Sequence, residues 1–188
     1  MTFKANHLIK TFAVLSIAAA AHTAMAADGQ ITFNGQVLAT TCTISAGGGA
    51  TGTNNMTVTL PSVSVAALSS SGNAAGRTPF SINLSGCTGD STKVAAFFEA
   101  GDTVDQSTGQ INLVATEGAT SATNVRIRLL NNAQSPIVAG APAGQQNSQT
   151  VDLNGGSASL QYFAEYVATG KATAGAANSR IQYSLSYQ

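Results

Sequence analysis

Apolar and polar positions alternate along much of this chain, and the pattern starts close to its front. In the run 31–39, Ile31, Phe33, Gly35, Val37 and Ala39 fall on one side, and Thr32, Asn34 and Gln36 on the other. A period of two is that of a strand with one face buried. Segments 56–60, 80–84, 111–114 and 125–129 repeat it, the last with Arg126 and Arg128 on one side. Segment 94–99 is more continuously apolar, as a strand covered on both faces is. A short candidate follows at 151–153, then 160–167 with Tyr162, Phe163 and Tyr166. Segment 181–187 alternates strictly, with Ile181, Tyr183, Leu185 and Tyr187 against Gln182, Ser184 and Ser186. Only 65–70 reads as a helical turn. Clusters of Gly, Asn, Ser and Thr mark 47–55 and 140–149 as surface loops. Strands this short and this evenly spaced predict an antiparallel sandwich or barrel.

The first 26 residues alter the picture of where the chain resides. Lys4 and Lys10 precede an apolar stretch over 12–21, and Ala24-Met25-Ala26 offers a small-x-small cleavage site. This is the pattern of a secretory signal, with Ala27 as the mature N-terminus. The apolar stretch is too short to span a bilayer, and no later segment is long and apolar enough, so no membrane insertion is expected. Removing 26 of the 188 residues leaves 162, which suits one domain. Six basic residues then face eight acidic ones, a formal charge of −2. Without a basic cluster, nucleic acid is not an expected partner.

Two cysteines remain, Cys42 and Cys87, and export makes their pairing the default expectation. Both histidines, His7 and His22, fall inside the signal. The mature chain therefore cannot build a Ser-His-Asp triad, a histidine-based metal site or a histidine general base. No catalytic, cofactor-binding or metal-binding residue is assigned.

Other patterns are weaker than they look. Gly47-Gly48-Gly49-Ala50-Thr51-Gly52 fits G-x-G-x-x-G, but no helix pattern follows and nothing acidic appears before Asp90. A dinucleotide site needs both, so a flexible loop is the expectation. Glu99, Asp102 and Asp105 are too few for an oxygen-only calcium site and read as a solvated loop. Asn55-Met56-Thr57 and Asn83-Leu84-Ser85 fit the glycosylation sequon, a pattern short enough to arise by chance. The four tyrosines, Tyr162, Tyr166, Tyr183 and Tyr187, suit core or subunit-contact roles better than a sugar-binding strip.

Several stretches together resemble one family. They are 58–64 (Val-Thr-Leu-Pro-Ser-Val-Ser), 76–87 (Gly-Arg-Thr-Pro-Phe-Ser-Ile-Asn-Leu-Ser-Gly-Cys), 162–170 (Tyr-Phe-Ala-Glu-Tyr-Val-Ala-Thr-Gly), Ala172-Thr173-Ala174-Gly175 with Asn178, and the ending Tyr187-Gln188. They resemble type 1-like fimbrial pilins of the chaperone–usher pathway, over essentially the whole mature chain. The resemblance implies an all-β, incomplete immunoglobulin-like sandwich that a donor strand from a neighbouring subunit completes. It implies a signal peptide at 1–26, an N-terminal donor-strand extension at 27–40 and a pilin domain at 41–188. Ile31, Phe33, Gly35, Val37 and Ala39 match the donor face, with Gly35 where the receiving groove is shallow. A simple β-bulge is the alternative reading of that glycine. Ile181, Tyr183, Leu185 and Tyr187 match the groove-edge strand that a chaperone recognises, although an ordinary core strand would look the same.

Cys42 and Cys87 match the family disulfide. The partners implied are identical or related pilin subunits joined head to tail, a periplasmic chaperone and an outer-membrane usher. The expected product is an extracellular fimbria, exported through the periplasm and supporting cell adhesion, with no cofactor and no enzymatic activity. A minor or adaptor pilin is the neighbouring alternative. A secreted carbohydrate-binding module that closes its own sandwich is the alternative from another class.

Overall fold

A computed structural model describes residues 30–32 and 35–188 of the chain. The chain divides into two units, Met1–Gln36 and Val37–Gln188. The signal expected at 1–26 lies outside the described residues, as does Phe33. In the first unit, residues 30–32, 35 and 36 are exposed and form no regular secondary structure.

The second unit is built almost wholly from strands, β1 (Thr41–Gly48), β2 (Ala50–Gly52), β3 (Met56–Val58), β4 (Ala74–Thr88), β5 (Lys93–Phe98), β6 (Ile111–Asn112), β7 (Val125–Leu130), β8 (Thr150–Asp152), β9 (Ala158–Ala168) and β10 (Tyr183–Tyr187). One sheet runs β1-β4-β9-β7-β6, a second β10-β5-β8, and β2 with β3 forms a separate hairpin. All ladders between these strands are antiparallel. One turn of 3-10 helix, Val65–Leu68, starts at Ser64, whose hydroxyl accepts from the Ala66 N–H at 3.2 Å. It buries Leu68 beside Val125, Tyr166 and Ala172.

Alternation decides what enters the main core. Phe80, Ile82 and Leu84 of β4, Val94, Ala96 and Phe98 of β5, and Leu160, Tyr162 and Ala164 of β9 are all buried there. The Tyr162 ring meets Phe98 edge-on at 5.3 Å and Phe80 at 5.6 Å, within the range of favourable aromatic pairs. Its buried hydroxyl has a partner in Ser148 at 3.0 Å.

Strand β1 departs from the expectation of a loop over 47–55. Gly47 and Gly48 continue the β1–β4 ladder opposite Ser81 and Phe80, and 50–52 and 56–58 form the hairpin. Proximity explains the glycines. A Cβ on Gly47 would overlap the Asn83 and Ser81 side chains. Gly48 has φ +65°, a region side chains disfavour.

Polar groups on the outer face of the larger sheet are also closely matched. Glu165 is 1% exposed, and its neighbour across the β7–β9 ladder is Arg128. Arg128 donates to Oε1 through Nε at 2.9 Å and also through its terminal nitrogen. Arg77 donates to Oε2 at 2.8 Å from a register shift in β4, where Gly76 has φ +72°. That bulge carries Arg77 across to the carboxylate.

Cys42 and Cys87 are bonded, joining β1 to β4 across a sequence separation of 45. Closing a loop of that length stabilises a fold by about 4 kcal/mol in the chain-entropy model. Replacing both cysteines by alanine should lower the urea-unfolding free energy by about that amount. Glu165→Ala strips two partly exposed guanidiniums of a buried partner and should cost about 2 kcal/mol in the same assay.

Candidate subunit-binding groove

Among the described residues, two of the sheets' edge strands, β1 and β10, flank one opening. β1 has a partner only on its β4 side, and β10 only on its β5 side. Between them the sandwich stays open over a groove of about 1130 Å³. Phe80, Ile82, Phe98, Ile127, Leu129 and Ala164 form its apolar base. One wall carries Ile181, Tyr183, Leu185 and Tyr187, and the other Ile44, Met56, Val58 and Leu60. Unpaired strand edges beside uncovered apolar surface form a template for another strand.

The four wall residues expected from 181–187 are thus brought together, all half-buried along one side. β10 itself starts at Tyr183, yet the pairing extends further, since Gln182 O accepts from Glu99 N–H at 2.9 Å. Burial raises the phenol pKa values of Tyr183 and Tyr187, with their mutual proximity adding to the effect at Tyr183. Both hydroxyls stay neutral at physiological pH, so neither ring adds charge to the groove. The Tyr183 hydroxyl donates to Asn54 O at 3.0 Å, from one wall to the other.

Ile31, Val37 and Ala39 are exposed, Val37 fully so. A Cβ on Gly35 would meet nothing within 4 Å. The acidic trio is dispersed into separate contacts. Glu99 accepts from the Ser184 hydroxyl, Asp102 pairs with Arg180, and Asp105 pairs with Arg126. Hydrogen bonds from Ser107 lead the causes that lower the Asp105 pKa. Among the described residues no cluster of His, Cys, Asp or Glu could hold a metal ion, and no helix is long and apolar enough to cross a membrane. Tyr162 is buried in the main core and Tyr166 in the smaller one, whereas Tyr183 and Tyr187 are half-buried on the groove wall, so the four rings make no common exposed strip.

The family model described as type-1 fimbrial protein, A, matches residues 60–188. This chain belongs to that family. The pilin is 48% identical over 175 residues to the "Major fimbrial subunit SMF-1" of Stenotrophomonas maltophilia, covering 91% of this chain and 99% of that one. It is 34% identical over 205 residues to the "Serotype 2 fimbrial subunit" of Bordetella pertussis, with 98% and 97% covered. The fold matches the P pilus rod subunit PapA with a TM-score of 0.56 at 18% identity, over 78% of this chain and 99% of that one. A chaperone–usher pilus structure matches with a TM-score of 0.57 at 19% identity, over 86% and 96%. The sandwich is thus the immunoglobulin-like fold of such pilins, and the protein is a structural subunit of an extracellular fimbria.

Sequence reasoning did not find the second wall of this pilin's groove. Ile44 stands in a small-residue strand, and Met56, Val58 and Leu60 became a wall only once the hairpin was placed. Gln146 also escaped notice. Its side chain is buried, accepts from Phe98 N–H at 2.9 Å and donates to Phe98 O at 2.8 Å, and so fastens the loop expected at 140–149 to β5. One glutamine among the three of a polar loop (Gln145, Gln146 and Gln149) gives no sequence signal for such a role.

Proposed function

We propose that this pilin is the major, shaft-forming subunit of its fimbria and that subunits join by donor-strand exchange. The uncovered groove between two unpaired edges is the observation that carries this reading. Residues 31–39 of one subunit enter the groove of the next. Ile31, Phe33, Val37 and Ala39 fill its depth, and Gly35 lies where it is shallow. Main-chain hydrogen bonds to the free edges provide attachment, and the alternate side chains provide register.

Lengths agree with this assignment. A nine-residue strand from 31 to 39 spans about 26 Å between its end residues. The wall from Ser179 to Tyr187 also has nine residues. The contact is heterologous, so repetition gives an open filament and not a closed ring. In this reading residues 1–26 are a signal peptide, 27–40 the donor extension and 41–188 the acceptor domain.

Before assembly the open groove is an aggregation hazard, so a periplasmic chaperone covers it, with Ile181, Tyr183, Leu185 and Tyr187 as its contact edge. An outer-membrane usher then replaces chaperone by subunit. The protein does no catalysis in this scheme. A family of structural subunits and a chain with no histidine after position 22 both favour that view. Family membership likewise favours a pilin over a free carbohydrate-binding module.

Deleting 27–37 should leave a chaperone-bound monomer that forms no fibres. Gly35→Leu should block joining while leaving the chaperone complex intact. Normal fibre yield from either variant, scored by electron microscopy, would refute the donor role.

A further inference from the structure

The glycine run 47–52 and the Tyr183 bridge are not explained by strand exchange alone. The β2–β3 hairpin forms part of the groove's second wall through Asn54, Asn55, Met56 and Val58. It belongs to neither main sheet. Its entry runs through Gly48 at φ +65° and Gly49, whose N–H donates to Pro79 O at 2.8 Å. A Cβ on Gly49 would come within 2.7 Å of that same oxygen. At its far end Gly52 has φ +108°, turning the chain towards Asn54. There the Tyr183 hydroxyl grips the Asn54 carbonyl from the opposite wall. Among the described residues no other hydrogen bond ties the hairpin to β10.

We propose that the hairpin is a flap over the groove, hinged at Gly48–Gly49 and latched by the Tyr183–Asn54 hydrogen bond. The inference rests on the donor-strand reading for what passes the flap, but the latch itself does not. A strand inserted between two edges needs roughly 9–10 Å between them, twice the usual strand spacing. The tyrosine bridge crosses the groove at the middle of the Ser179–Tyr187 wall. Centred on this wall, residues 31–39 bring Gly35, in either direction, opposite Tyr183. The one donor position without a side chain then passes the ring, and the latch opens as the strand enters. Opening lifts Ala50, Met56 and Val58 off the main core, and the apolar side chains of the entering strand replace them there.

Tyr183→Phe keeps the ring and removes only the hydroxyl. A single hydrogen bond of this kind biases an equilibrium by about fivefold. In the mature full-length chain, amide hydrogen exchange across residues 50–58 should quicken about fivefold, with β4 and β9 unaffected. A fluorescent peptide copying residues 30–40 should associate faster by a similar factor in stopped-flow measurements. Unchanged exchange at 50–58 would overturn the latch, and faster exchange with unchanged association would overturn its gating of the groove. A peptide that binds neither protein would remove the donor-strand reading, and the exchange rates would still decide the latch.

Discussion

An apolar strip of core lying between two strand edges without partners governs this pilin. At the centre of the larger sheet the sandwich is closed. β4 and β9 are paired on both sides, and Tyr162 packs between Phe80 and Phe98. Between β1 and β10 that closure stops, and backbone groups and apolar side chains stay open together. A fold missing one strand has the same chemical requirement as a strand missing a fold. The missing element must supply main-chain donors and acceptors along its length and apolar side chains at every second position.

Other parts of the molecule hold the opening in shape. The Cys42–Cys87 bond ties β1 to β4, so the strand that carries Ile44 of the second wall stays on the sheet when nothing fills the groove. On the opposite side of the large sheet, Glu165 gathers Arg77 and Arg128 from the two strands that flank β9. Gln146 fastens a long loop to the end of β5, the strand on which β10 depends. These ties keep a partly open sandwich in one arrangement while its core is incomplete.

Much of this was legible in the residues, and what was not has physical causes. Strands β4, β7 and β10 follow from alternation, and β5 and β9 from apolar and aromatic runs, because each buries one face, or both, against the core. Strand β1 stayed hidden because its sequence, Thr-Cys-Thr-Ile-Ser-Ala-Gly-Gly, has one large apolar residue. Its glycines looked like loop punctuation, whereas Gly47 is small because Ser81 and Asn83 of β4 leave no room for a Cβ. A single sequence does not reveal close approach between distant segments. The same limit hid the second wall, since Met56 and Val58 reach the groove through a hairpin turned by Gly52. The β10 wall was visible because all its members lie on one strand.

The central claim is that the strand completing each sandwich comes from another molecule. Solid-state NMR on fibres grown from two equally mixed pools tests it directly, one pool labelled at Val37 and the other at Leu185 and Ile181. Strand insertion places such side chains within about 5–8 Å of one another, so cross-peaks should appear between the pools. Fibres showing no cross-peak between the pools, while a triply labelled subunit diluted into unlabelled ones shows Val37 against Leu185 or Ile181, would contradict the account.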